Sequence, residues 1–100
     1  TAIRAACEAV GDFSLEGATI YASCEPCPMC LAAIYWARID RIFYANTTDD
    51  ASRVGFDDGF LYRELALPAG ARAIPSERIL AGEALEVFAE WDAKDDKIPY

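Results

Sequence analysis

Ser23-Cys24-Glu25-Pro26-Cys27-Pro28-Met29-Cys30 joins two segments of different period and carries three of the chain's four cysteines. Before it, Ala18-Thr19-Ile20-Tyr21-Ala22 is apolar and β-rich with Gly17 in front, which predicts a short buried strand. After it, Leu31-Ala32-Ala33-Ile34-Tyr35-Trp36-Ala37-Arg38 is built from good helix formers. Pro28 suits the first helical position, where its fixed φ is preset and its missing N–H would be an orphan anyway. Cys27 and Cys30 then flank the first turn of a helix, three residues apart and pointing the same way. Free N–H groups and the positive end of the helix dipole lower a thiol's pKa there, favouring the thiolate that a metal needs. Strand, two sulfurs, helix: the arrangement predicts half of a metal site.

Zinc takes four ligands, or three and a water when it performs chemistry. The chain contains no histidine. Whatever completes the site is therefore Cys24, Cys7, a carboxylate, solvent or another polypeptide.

Arg41-Ile42-Phe43-Tyr44-Ala45-Asn46 reads as a second strand after the helix, and a strand–helix–strand run of this length predicts a right-handed parallel crossover. The sulfurs then lie at the carboxyl end of the first strand, the edge where open α/β sheets place their ligands. Thr47-Thr48-Asp49-Asp50 is a cap-like entry to a short helix running toward Val54, with Gly55 as its stop. Residues 56 to 65 mix aromatic, acidic and apolar side chains without a clear period. Pro68 to Gly70 reads as a turn, Arg72 to Pro75 as a short extended piece. From Ser76 onward Ile79, Leu80, Ala84, Leu85, Phe88 and Trp91 give a helical stripe. At the start, Ile3, Ala6, Cys7 and Val10 recur at helical spacing before Gly11, so Cys7 is expected to pack as a small core residue.

One hundred residues, 54% of them apolar, suffice for one domain. Seventeen acidic against nine basic residues give a net charge of −8 and a pI near 4.3, which argues against nucleic acid as a partner. No apolar run approaches membrane-spanning length, so no membrane partner is expected either. The four cysteines do not suggest an oxidised framework, and a cytoplasmic location is expected.

The match at Pro26-Cys27-Pro28-Met29-Cys30 resembles the P-C-x-x-C half of the signature of zinc-dependent nucleobase deaminases of the cytidine deaminase superfamily, whose other half is H-x-E. Leu31 to Ile39, Gly55-Phe56-Asp57-Asp58 and the terminal Pro99-Tyr100 extend the resemblance to bacterial guanine deaminases over essentially the whole chain. The resemblance implies a three-layer α/β/α cytidine-deaminase-like fold, of which residues 1–100 would be the C-terminal two-thirds, without the first helix and strand hairpin. Thr1 to Val10 resembles the remainder of the helix that H-A-E opens in this family. Two origins follow: a piece of a longer polypeptide, which the capless start favours, or a degenerate deaminase that lost its first motif. The strand edges that the missing portion would cover are expected to leave the chain poorly stable alone.

The implied activity is hydrolytic deamination of guanine to xanthine and ammonia, with zinc as cofactor. Cys27 and Cys30 are the implied metal ligands, and a histidine and a proton-shuttling glutamate would come from outside these residues. Cys24, one step upstream, is read as strand-end packing. Asp58 is implied in the base pocket, where a carboxylate accepts the paired N–H donors of guanine's Watson–Crick edge and helps move protons; a solvated helix-start aspartate is the plainer reading. Trp36 is either sheet packing or a pocket wall beside the base. The resemblance further implies a homodimer in which the tail 92–100 is exchanged and Tyr100 contacts base in the neighbouring subunit; a fraying end is the alternative. Other readings are a deaminase of cytosine or tRNA adenosine, or a structural zinc or iron–sulfur module built on Cys24, Cys27 and Cys30. A catalytically silent remnant of the fold completes the set.

Overall fold

A computed structural model describes residues Thr1–Tyr100 as an α/β chain. Its elements are α1 (Ala2–Val10), β1 (Thr19–Cys24), α2 (Pro28–Trp36), β2 (Arg41–Asn46), α3 (Thr48–Arg53), α4 (Asp58–Ala66), a 3₁₀ turn at Ala69–Ala71, and α5 (Ala81–Asp92). The two strands pair in parallel, from Thr19 opposite Arg41 to Cys24 opposite Asn46. A parallel pair cannot be closed by a tight turn, and α2 supplies the crossover.

Both ends of α2 are determined locally. Pro28 opens it as expected, with Cys27 as the capping residue. Its end is a Schellman turn: Arg38 N–H donates to Tyr35 O at 3.0 Å and Ile39 N–H to Ile34 O at 3.2 Å. Arg38 occupies the left-handed position at φ 57, where glycine is usual. Its guanidinium lies over the Phe13 ring at 5.3 Å and the Tyr100 ring at 4.8 Å, contacts that hold the residue in place. The reversed chain returns to the loop before β1, where Leu15 N–H meets Ala37 O at 2.7 Å and Gly17 N–H meets Asp40 Oδ1 at 3.0 Å.

The core is small and sits under α2. Leu15, Ile34 and Ala37 are its apolar members, and Pro26 is also buried. α2 is apolar around its whole circumference, yet only Ile34 is enclosed within the helix. Met29, Tyr35 and Trp36 stay 64–78% exposed. A helix apolar on every side is characteristic of a buried position, and here most of that apolar surface is open. The radius of gyration, 17.8 Å, exceeds the roughly 13 Å of a compact chain of this length. α5 contributes to that extension, with Leu85, Val87, Phe88 and Trp91 open to solvent. No helix is long and apolar enough to cross a membrane.

Two expectations need correction. Arg72 to Pro75 forms no strand, and its position is fixed instead by Arg72 donating to Glu64 O and by Ala73 N–H donating to Glu64 Oε2. The last helix begins at Ala81, so Ile79 and Leu80 of the stripe precede it. Leu80, left-handed at φ 53, interrupts the apolar period read from Ser76. The unassigned stretch 56 to 65 is largely α4, started by Asp57, whose carboxylate accepts from Phe60 N–H at 3.1 Å.

Ile34, 3% exposed, is the most enclosed side chain in this core. Ile34→Ala is expected to cost roughly 2–4 kcal/mol of unfolding free energy, read as a lower urea midpoint, whereas Tyr35→Ala on the open face of α2 should cost far less in the isolated chain.

Candidate metal centre

Cys27 and Cys30 converge where β1 runs into α2, with their sulfurs 3.3 Å apart. Cys27 is outside the helix at φ −65, ψ 167, and its sulfur accepts the Cys30 N–H at 3.5 Å. That backbone donor, the largest influence on the group, holds the Cys27 thiol below its ordinary value, and the neighbouring thiol adds to it. Cys30 moves the opposite way, chiefly because it keeps the hydrogen shared with the Cys27 sulfur. The pair thus readily reaches a state with one thiolate and one proton between two sulfurs. A divalent cation could displace that proton and be held by both sulfurs.

The donor set fits zinc. Two Zn–S bonds of about 2.3 Å at a tetrahedral angle put the sulfurs about 3.8 Å apart, half an ångström or so from where they stand. No group of three His, Cys, Asp or Glu side chains converges within the chain, so these residues supply two ligands and no more. Cys24 is held elsewhere, its thiol donating to Thr47 O at 3.8 Å. Cys7 is half-buried on α1 and directs its thiol to Phe13 O.

The surroundings are assembled from the ends of both strands. Asp58 is the first residue of α4 and half-buried, and its negative charge raises the pKa of Cys27, Cys30 and Tyr62. Those shared influences put its carboxylate in the electrostatic neighbourhood of the sulfurs. Beside them a groove of about 520 Å³ runs along α2, bounded by Pro28, Leu31, Tyr35 and Trp36 on that helix and by Tyr62 and Leu65 on α4. Trp36 lies at its far end, about 12 Å along the helix axis from Pro28. Tyr100 is farther still from the sulfurs of its own chain. Its hydroxyl donates to Trp36 O at 2.9 Å, and its ring stacks on Phe13 at 4.8 Å and meets Trp36 edge-on at 5.1 Å.

Two participants were not singled out from sequence for this site. The carboxylate of Glu25 accepts the Thr48 N–H at 2.9 Å, joining the cysteine turn to the start of α3. Tyr62 donates its hydroxyl to Pro26 O at 2.5 Å across 36 residues. Burial, then the charges of Glu25, Cys27 and Asp58, push the Tyr62 phenol up, so it remains a donor. A tyrosine within an aperiodic segment gives no sign of such a partner; the position of Glu25 next to the motif was the one visible signal.

Comparison with known proteins agrees with this geometry. Residues 1–46 match the family described as the cytidine and deoxycytidylate deaminase zinc-binding region. The crystal structure of guanine deaminase from Bacillus subtilis superposes over 100% of this chain and 64% of its own, with a TM-score of 0.94 and 47% identity. The chain is thus similar to a guanine deaminase along most of its length and to the deaminase zinc-binding region along its first 46 residues. Among curated proteins, guanine deaminase of B. subtilis strain 168 is 50% identical over 91 residues, which is 91% of this chain and 58% of that enzyme. A tRNA-specific adenosine deaminase of Agrobacterium fabrum is 57% identical, but over 42 residues, 42% of this chain and 28% of that enzyme. The chain spans somewhat under two-thirds of the length of these two guanine deaminase relatives.

In metal-free protein, alkylation by iodoacetamide should reach Cys27 at lower pH than Cys30, because the first thiol's pKa is lowered and the second's raised. Peptide mapping across a pH series checks the order, and Cys27→Ser should abolish the early phase.

Proposed function

We propose that these residues form the sulfur-bearing part of a zinc-dependent guanine deaminase, which converts guanine and water to xanthine and ammonia. The observation that carries this reading is the extent of the likeness. Similarity to the guanine enzyme continues over 91 residues, whereas similarity to the tRNA-directed enzyme covers 42. The acidic balance agrees, since a net charge of −8 repels a phosphate backbone and is indifferent to a neutral free base.

Cys27 and Cys30 would hold the zinc from the start of α2, with the remaining ligands supplied by groups other than these two thiols. When bound, the metal makes water a competent nucleophile near neutral pH. Asp58 would accept the N–H donors on the Watson–Crick edge of guanine and carry a proton there as the amine departs. Cytosine and adenine do not offer that donor pair. Trp36 would form an aromatic wall for the base.

A homodimer with exchanged C-terminal segments is part of the same proposal. Two features support it. The apolar face of α2 is uncovered in the single chain, and Tyr100 sits at the end of that helix opposite its own sulfurs. Residues 92–100, exchanged onto a second copy, would bring Tyr100 to the neighbour's base. The same apolar face would be buried between the subunits.

The complete protein, assayed by xanthine formation, should deaminate guanine and leave cytosine and adenosine unchanged. Asp58→Asn should lower kcat on guanine by about a hundredfold or more, and Cys30→Ala should abolish both bound zinc and turnover. Turnover of adenosine in tRNA with none of guanine would overturn the reading.

A further inference from the structure

We propose that Tyr62 is the positioning residue for the zinc-binding sulfur of Cys27, acting through the hydrogen bond from its hydroxyl to the Pro26 carbonyl. The inference rests on the reading of Cys27 and Cys30 as zinc ligands.

The two cysteines are held in different ways. Cys30 lies inside α2, and helical dihedrals fix its Cα–Cβ direction. Cys27 lies outside it in extended conformation, so the helix does not determine where its side chain points. Its direction depends on the peptide plane between residues 26 and 27, whose oxygen is the Pro26 carbonyl. Of that plane's two polar groups, the Pro26 carbonyl and the Cys27 N–H, the carbonyl of buried Pro26 is the one that receives a hydrogen bond from another element. Tyr62 grips it at 2.5 Å.

The preceding residue is anchored separately. Glu25 N–H donates to Asn46 O at 2.8 Å, while its carboxylate takes Thr48 N–H at 2.9 Å. Residues 25 and 26 are therefore held by α3 and α4 respectively, and the sulfur follows immediately. Removing the Tyr62 hydroxyl frees only the second contact. The ring itself forms part of the groove wall together with Pro28 and Trp36, so Tyr62→Phe keeps the packing and deletes the grip.

The experiment compares wild type, Tyr62→Phe and Tyr44→Phe in the complete protein by zinc competition against a chromophoric chelator. Tyr44 lies on β2 and is exposed, so its variant reports any general effect of losing a phenol. Tyr62→Phe is expected to bind zinc about tenfold more weakly, the lower end of what losing a group that orients a metal ligand costs. Tyr44→Phe should match wild type. Cobalt substituted for zinc should show altered visible bands in Tyr62→Phe at saturating metal and well below the unfolding temperature. A purely structural role would not change those bands. Tyr62→4-aminophenylalanine, which restores a donor on the same ring, should recover affinity and spectrum, and it tests the idea even if the phenylalanine variant folds poorly. Equal zinc affinity and identical cobalt bands in Tyr62→Phe, or failure of the amino variant to recover them, would overturn this inference alone. Absence of zinc binding by wild type would overturn the underlying reading of the site as well.

Discussion

The parallel pairing of β1 with β2 is the constraint from which the rest of the site follows. Parallel strands need a crossover, and the crossover must begin at the carboxyl end of the first strand. Here it begins with Cys27, Pro28 and Cys30, so the sulfurs are delivered to the carboxyl edge of the sheet by topology alone. β2 ends at the same edge, opposite Cys24. The helices that follow it, α3 and α4, start within hydrogen-bonding reach of the cysteine turn, as the Glu25–Thr48 and Tyr62–Pro26 contacts record. Reversing the direction of either strand would send these groups to opposite ends of the sheet.

The electrostatics at the two sulfurs suit a cation. Two thiols meet at a helix N-terminus, where the backbone N–H lowers the Cys27 thiol and the hydrogen bond with Cys27 raises the Cys30 thiol, with the Asp58 charge as a smaller opposing influence on both. Helix dipole and backbone N–H favour thiolate at Cys27, while the charge of that thiolate opposes a second one at Cys30. A divalent metal resolves that conflict. With two converging ligands in the chain, the site calls for others from elsewhere, which fits a chain that covers 58% of its guanine deaminase relative. The uncovered face of α2 and the open side chains of α5 leave apolar surface exposed in the single chain.

Much of this was legible in the sequence wherever a local rule governs. β2 runs over the residues its apolar, β-branched and aromatic content indicates, and α1 ends at the glycine that marks its stop. α3 carries a full capping box between Thr47 and Asp50, an extension of the cap read from its first residues. α4 was not legible because Gly59 in its first turn and the mixture of charge and aromatic groups hide its period, and only the Asp57 cap declares it. The start of α5 was misjudged because an apolar stripe does not register a left-handed residue such as Leu80. The convergence of Cys27 and Cys30 was legible because a helix start and a two-residue gap are local facts. Tyr62 and Glu25 were not, because their partners lie 36 and 23 residues away and are chosen by the fold.

The central claim is that Cys27 and Cys30 are half of a zinc site, and X-ray absorption at the zinc edge of the complete, metal-loaded protein tests it most directly. The account predicts two sulfur scatterers at about 2.3 Å, with nitrogen or oxygen completing the shell near 2.0 Å. A shell of four sulfurs would mean a structural zinc module, and a shell without sulfur would mean that these cysteines do not hold the metal at all; either result contradicts the account.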